Sequence, residues 1–151
     1  MNTQPSQANR TSQQARVETL RKTPLFAHLP QHALDDLAVK SETVILEPDH
    51  ELFHKGDSAT ALFILTSGQV EVLDTKGRVL RRLSAGASFG EIGLITDAGR
   101  TATVRARDRC MLVKMPRHTF QELLWADHEF ALAVLDTVAQ LLLQRDDDQH
   151  L

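Results

Sequence analysis

A single cysteine, Cys110, is all the thiol this chain has, so no internal disulfide can staple it, and a reducing cytoplasm is the expected setting. Long apolar runs are also missing. Nothing approaches the roughly 20 residues of a membrane span, and the first twenty residues lack the apolar core of a secretory signal. Neither sign of charge dominates: 17 basic and 20 acidic residues leave a net charge of -3, which argues against nucleic acid or an anionic membrane as a general partner. The 7 histidines do not fall into metal-ligand spacing, and no His-x-His pair with a following glutamate occurs, so no metal and no cofactor is expected. What is present is ordinary globular material, 42% hydrophobic and 25% charged over 151 residues, enough for one domain with a real core.

The pattern along the chain changes twice. Residues 1–14 are mostly Asn, Gln, Ser and Thr and read as a disordered arm, because they cannot bury enough surface to offset ordering. Residues 15–40 read as a helical segment, with Val17 and Leu20 before a break at Thr23-Pro24 and a second short helix after Pro30. Residues 41–116 consist of short apolar runs separated by glycine-bearing turns. At least seven strands about 8–12 residues apart predict an antiparallel β-roll, a jelly-roll-like barrel, and not a parallel sheet. Helical spacing returns over 117–147, with Asp127 a good N-cap residue for the longer of two helices. The expected architecture is mainly β with flanking helices, one domain over 15–147.

The stretch with the most chemistry is Ser88 to Ala106, SFGEIGLITDAGRTATVRA. Glycine before a short helix lets backbone N–H groups approach an anion. Arg100, a short loop away, supplies a guanidinium that forks onto two phosphate oxygens. Glu91 beside that anion would repel it if phosphate were its partner; it makes sense as an acceptor for neutral hydroxyls such as those of a ribose. Together these residues describe a site for a sugar phosphate.

The same stretch resembles the phosphate-binding cassette of the cyclic-nucleotide-binding domain family, whose Phe-Gly-Glu-Ile/Leu-Gly/Ala-Leu, short loop and Arg-Thr-Ala-Thr-Val pattern is met from Phe89 to Val104, within a cassette spanning 86–104. Pro24-Leu25-Phe26, Phe53-His54-Lys55-Gly56-Asp57, Leu62-Phe63-Ile64-Leu65 and Ser67-Gly68-Gln69-Val70 extend the resemblance over about residues 20–145. It implies Glu91 on the ribose 2'-hydroxyl, Gly90 and Ile92 as backbone donors, Arg100 on the cyclic phosphate with Thr101 beside it, and Phe89, Val72, Leu80 and Leu83 as apolar walls for the purine. Arg145 and Asp146, near the end of the last helix, are expected as a lid on the base. Thr101 and an acidic residue on that helix lean towards cGMP, whereas base rates among bacterial-looking relatives lean towards cAMP, and Thr or Ser at this position is also common in cAMP binders. The expectation is cAMP, with cGMP second.

The resemblance implies a sensor or regulatory domain in signal transduction and not an enzyme. Occupancy would be relayed through the C-terminal helix to an effector protein or to a second copy in a homodimer. The alternatives are a fragment of a larger regulator (transcription factor, channel or enzyme) and a scaffold of the same fold that binds no nucleotide.

Overall fold

The computed structural model describes the backbone of residues 7–149 apart from residue 97, and the side chains of residues 11–143 apart from residue 97. Two helices, α1 (Gln7–Lys22) and α2 (Gln31–Lys40), precede the strands β1 (Glu42–Leu46), β2 (Glu51–Phe53), β3 (Ala61–Ser67), β4 (Val70–Leu73), β5 (Val79–Leu83) and β6 (Ser88–Phe89). A short helix α3 (Glu91–Ile95) interrupts the sheet, then β7 (Thr103–Ala106) and β8 (Cys110–Pro116) complete it, followed by α4 (Arg117–Ala126) and α5 (His128–Gln149).

The strands form two four-stranded sheets, ordered β1-β8-β3-β6 and β2-β7-β4-β5, with antiparallel pairing throughout. This is the expected β-roll with flanking helices. Strands β3 and β8 are nearly continuous apolar runs because both of their faces are covered. Alternation along β3 sends Leu62 and Ile64 into a cluster with Leu20, Phe120 and Phe130 from the helices and Phe26 from the turn between α1 and α2, and Ala61, Phe63 and Leu65 into the interior of the roll with Val70, Val72, Phe89 and Leu112. Each of these fully buried side chains is worth roughly 1.5–3 kcal/mol of burial.

Helix α5 is fixed at its start. The Asp127 side chain accepts the Phe130 N–H at 2.7 Å, the N-cap bond expected from the sequence. Phe130 then packs its ring 5.3 Å from Phe26 and 5.8 Å from Phe120. At the other end of the chain α1 begins at Gln7, so helix replaces part of the arm expected through Gln14. Its anchors lie further on: Val17 and Leu20 are buried, and the Arg16 guanidinium donates to the Ala38 carbonyl at 2.8 Å. Once these residues are held, each added residue gains one backbone bond without a new nucleation cost, and Gln, Ala and Arg are good helix formers.

Candidate functional site

The interior of the roll opens into a cavity of about 150 Å³. The cassette forms one end of it. Gly90 sits between β6 and α3 at φ +93°, in the left-handed region, and a Cβ built there would stand 2.5 Å from Arg100 Nη1. Only glycine satisfies both the backbone angle and the guanidinium beside it. One turn on, a Cβ at Gly93 would come within 2.8 Å of the Ala59 Cβ, so glycine also lets α3 lie flat on the preceding loop.

Arg100 is buried, 4% exposed, and held on every side. Its N–H donates to the Asp57 carbonyl at 2.8 Å and its carbonyl accepts the Gly56 N–H at 2.9 Å. The guanidinium donates from Nη1 to the Gly90 carbonyl at 3.0 Å and from Nη2 to the Ala61 carbonyl at 2.7 Å, and its carbon lies 4.1 Å from the centre of the Phe53 ring. Burial pushes its pKa down to about 10, against the opposing pull of Glu91 and Asp57, so it keeps its charge at neutral pH. The Phe53–Asp57 segment thus serves as the bed for this arginine. Sequence reasoning noticed that segment and gave it no role.

Glu91, the first residue of α3, is 2% exposed, and its Oε2 has no hydrogen-bond partner among the described residues. Burial pushes its pKa up, more strongly than its own backbone N–H, Arg81 and Arg100 pull it down. No ion pair joins Glu91 to Arg100 among the described residues, so the two are not a surface salt bridge that happens to fall in the cassette. A buried carboxylate oxygen without a partner costs several kcal/mol in general unless something supplies a donor. Groups perturbed in this way inside a cleft are candidates for function.

Most of the expected residues meet here. Phe89, Gly90, Glu91, Ile92, Arg100, Thr101, Val72 and Leu83 all line the cavity. Leu80 does not. It is the extra residue of a β-bulge, because Val72 faces Arg81 and Leu73 faces Val79, and it is 56% exposed. Alternation back from Leu83 puts Arg81 on the cavity face and turns Leu80 away. Arg145 and Asp146, the expected lid, lie outside the residues whose side chains are described.

Outside the cassette, four further lining residues were missed in the sequence: Phe53, Arg81, Thr137 and Leu141. Arg81 could have been found from strand parity with Leu83. Thr137 and Leu141, four apart on α5, share one face, but helical spacing alone does not say what that face meets. Among the described residues no group of three or more His, Cys, Asp or Glu could hold a metal ion, and no helix is long and apolar enough to cross a membrane.

Known proteins resemble this chain in fold and in sequence. The sensor domain of the transcriptional regulator DNR from Pseudomonas aeruginosa superposes with a TM-score of 0.75 at 26% identity, covering 89% of this chain and 93% of that one. A cAMP-bound structure of PfPKA-R superposes with a TM-score of 0.77 over 93% of this chain and 49% of that one, at 17% identity, a likeness of fold alone. In sequence, an NTE family protein of Mycobacterium tuberculosis is 30% identical over 125 residues, 83% of this chain and 21% of that protein. The potassium/sodium hyperpolarization-activated cyclic nucleotide-gated channel 2 of Mus musculus is 32% identical over 116 residues, 77% of this chain and 13% of the channel. The chain therefore spans about a fifth or less of the curated relatives it matches. Residues 43–127, more than half of the chain and the whole β-roll from β1 through the cassette, match the family profile described as the cyclic nucleotide-binding domain, and with the buried Glu91 and Arg100 at its centre the chain belongs to that family.

Proposed function

We propose that this domain is a sensor that binds a 3',5'-cyclic purine nucleotide, cAMP or cGMP, without turning it over. The observation that supports this most is the partnerless Oε2 of Glu91, buried in a cavity whose other polar anchor is a rigid arginine. The guanidinium has five N–H donors and spends two on backbone carbonyls, leaving the rest for the cyclic phosphate. Thr101 and the N–H groups of Gly90 and Ile92 flank that phosphate. Glu91 accepts the ribose 2'-hydroxyl, which supplies the missing donor, and the base lies against Val72, Leu83 and Phe89.

Helix α5 closes over the base through Thr137 and Leu141 and relays occupancy outward. Its outer face supports a partner there, either an effector protein or a second copy of the chain: Leu132, Leu135 and Leu142 are 52%, 61% and 49% exposed. Their spacing keeps them on one side of the helix. The lone thiol, Cys110, is buried and unbridged, which fits a cytosolic setting.

Isothermal titration of the protein with cAMP, cGMP and 5'-AMP tests the reading. A saturable site for a cyclic nucleotide, with 5'-AMP much weaker and the nucleotide recovered unchanged, is the expected result. No heat from either cyclic nucleotide at millimolar concentration would support the non-binding scaffold instead, and recovery of AMP would make the site an enzyme.

A further inference from the structure

Helix α5 walls the cavity with Thr137 and Leu141, and its first turn is tied to the other end of the chain. The turn between α1 and α2 is rigid. Leu25, Phe26 and Leu29 are buried, the Phe26 and Ala27 N–H groups donate to the Thr23 carbonyl, and the Leu29 N–H donates to the Phe26 carbonyl. This turn carries His28 to α5, where Nε2 lies 3.0 Å from Asp127 Oδ1 and 3.8 Å from Glu129 Oε2. The same Asp127 oxygen accepts the Phe130 N–H, and the Phe130 ring packs on Phe26, two residues before His28. A half-buried imidazole thus stands against two carboxylates at the start of the helix. Thr137 lies about 15 Å further along it, at 1.5 Å per residue and without a break.

The other charged and titratable groups around the turn do not engage the ring. Arg21 at the end of α1 goes to Gln31 and Glu18, Asp35 of α2 to Gln31, and Asp36 to Lys40. Lys22, His32, Glu122 and His128, on the flanking ends of α1, α2, α4 and α5, form no hydrogen bond or ion pair with His28 among the described residues. The Phe130 N–H, and after it His28, holds the Asp127 carboxyl below the usual carboxylate range, so Asp127 stays ionised in mild acid. Imidazole is the side chain that changes charge between about pH 5 and 8. Neutral, the ring donates one ordinary hydrogen bond to Asp127; protonated, it is a cation between two carboxylates, and the bond becomes charge-assisted on both sides. The dipole of α5 opposes a cation at this end, but two full negative charges at contact distance outweigh its half charge. We propose that His28 is a proton-operated latch on α5, which seats the helix more firmly in acid and so tightens the grip of the domain on its nucleotide. The effect on affinity rests on the cyclic-nucleotide reading, in which Thr137 and Leu141 close over the base; the latch itself does not. Proton and nucleotide then favour the same position of one helix, and each strengthens the binding of the other.

The experiment is calorimetric titration of the full chain, of His28→Gln and of Asp127→Asn with cAMP and with cGMP, at about pH 8 and about pH 5.5. Glutamine keeps a donor that does not titrate, and asparagine keeps the helix cap without the charge. The wild type and His28→Gln should have similar affinity at the higher pH, and the wild type should bind about threefold more tightly at the lower, as suits a partly exposed pair. Asp127→Asn should follow His28→Gln. Comparing proteins at one pH cancels the titrations they share, including those of Glu91 and of His54 beside Phe53. A wild-type advantage that does not change with pH would overturn the inference, as would an advantage of His28→Gln in acid or a response of Asp127→Asn equal to that of the wild type. Amide exchange on the empty proteins reads the latch without ligand. At about pH 5.5 the amides from Phe130 to Leu141 should exchange about threefold more slowly in the wild type than in His28→Gln, with a smaller difference at about pH 8. That result together with no binding of either nucleotide would keep the latch and remove the nucleotide reading; equal exchange in the two proteins would remove the latch whatever the titrations show.

Discussion

In the cassette Arg100 is buried, bonded to two backbone carbonyls and stacked on Phe53; on the edge strand β5 Arg81 stands exposed, with no side-chain hydrogen bond among the described residues. The first arginine costs desolvation to keep in place, and the fold meets that cost with backbone acceptors and an aromatic face. The second costs little and can turn to meet what arrives. A preorganised end supplies affinity, because its donors need no reordering on binding.

The comparison is broken most severely at the rigid end. Arg100→Ala should cost on the order of 2–5 kcal/mol of cyclic-nucleotide binding, since the phosphate loses its buried counter-charge. It also leaves the Gly90 and Ala61 carbonyls without their donors, so the melting temperature should fall too. Arg100→Lys keeps the charge but not the fork, and should fall between the variant and the wild type in titration calorimetry. Next in size is Gly90→Ala. Its Cβ would press on Arg100 Nη1 and force a left-handed angle on alanine, so on the order of 1–3 kcal/mol of strain is expected, read as a lower melting temperature together with weaker binding.

Glu91→Gln separates binding from stability. Losing the charged acceptor should weaken binding by about 1–3 kcal/mol. The empty protein should become more stable at neutral pH, because the amide escapes the desolvation that raises the carboxyl pKa. Between the unfolded and the raised folded pKa, the folded state keeps a proton that the unfolded state has released, so wild-type stability falls as pH rises through that window. The advantage of the variant is therefore full above the folded value, shrinks as pH drops through that window and is gone below the unfolded value, which melting curves at neutral and acid pH would show. The smallest effect is remote from both arginines: Asp127→Ala removes the α5 N-cap and should cost roughly 1 kcal/mol in chemical denaturation.

Local pattern was enough to read the strands of the roll and the Asp127 cap, and it picked out Glu91 and Arg100, which line one cavity. Strand β6 escaped it because two residues, Ser88 and Phe89, are too few to show a period, and only pairing with Phe63 and Ile64 makes them a strand. The start of α1 escaped for the opposite reason, since the anchors that hold Gln7 in a helix lie beyond the polar stretch itself. Arg81, Phe53 and Thr137 reach the site from β5, β2 and α5, and it takes the bulge at Leu80, the stacking on Arg100 and the packing of Phe130 to bring them there. The fold turns Thr137 towards the cavity while Leu132 and Leu135 face outward.

The central claim is that Glu91 and Arg100 divide one ligand between sugar and phosphate. Titrating wild type and Glu91→Ala with a cyclic nucleotide and with its 2'-deoxy form closes a cycle on that contact alone. The account predicts that deleting the hydroxyl weakens binding to the wild type by about tenfold and leaves the Glu91→Ala affinity nearly unchanged, as expected for a charge-assisted hydrogen bond. An equal loss in both proteins would show that the carboxylate does not meet the ribose.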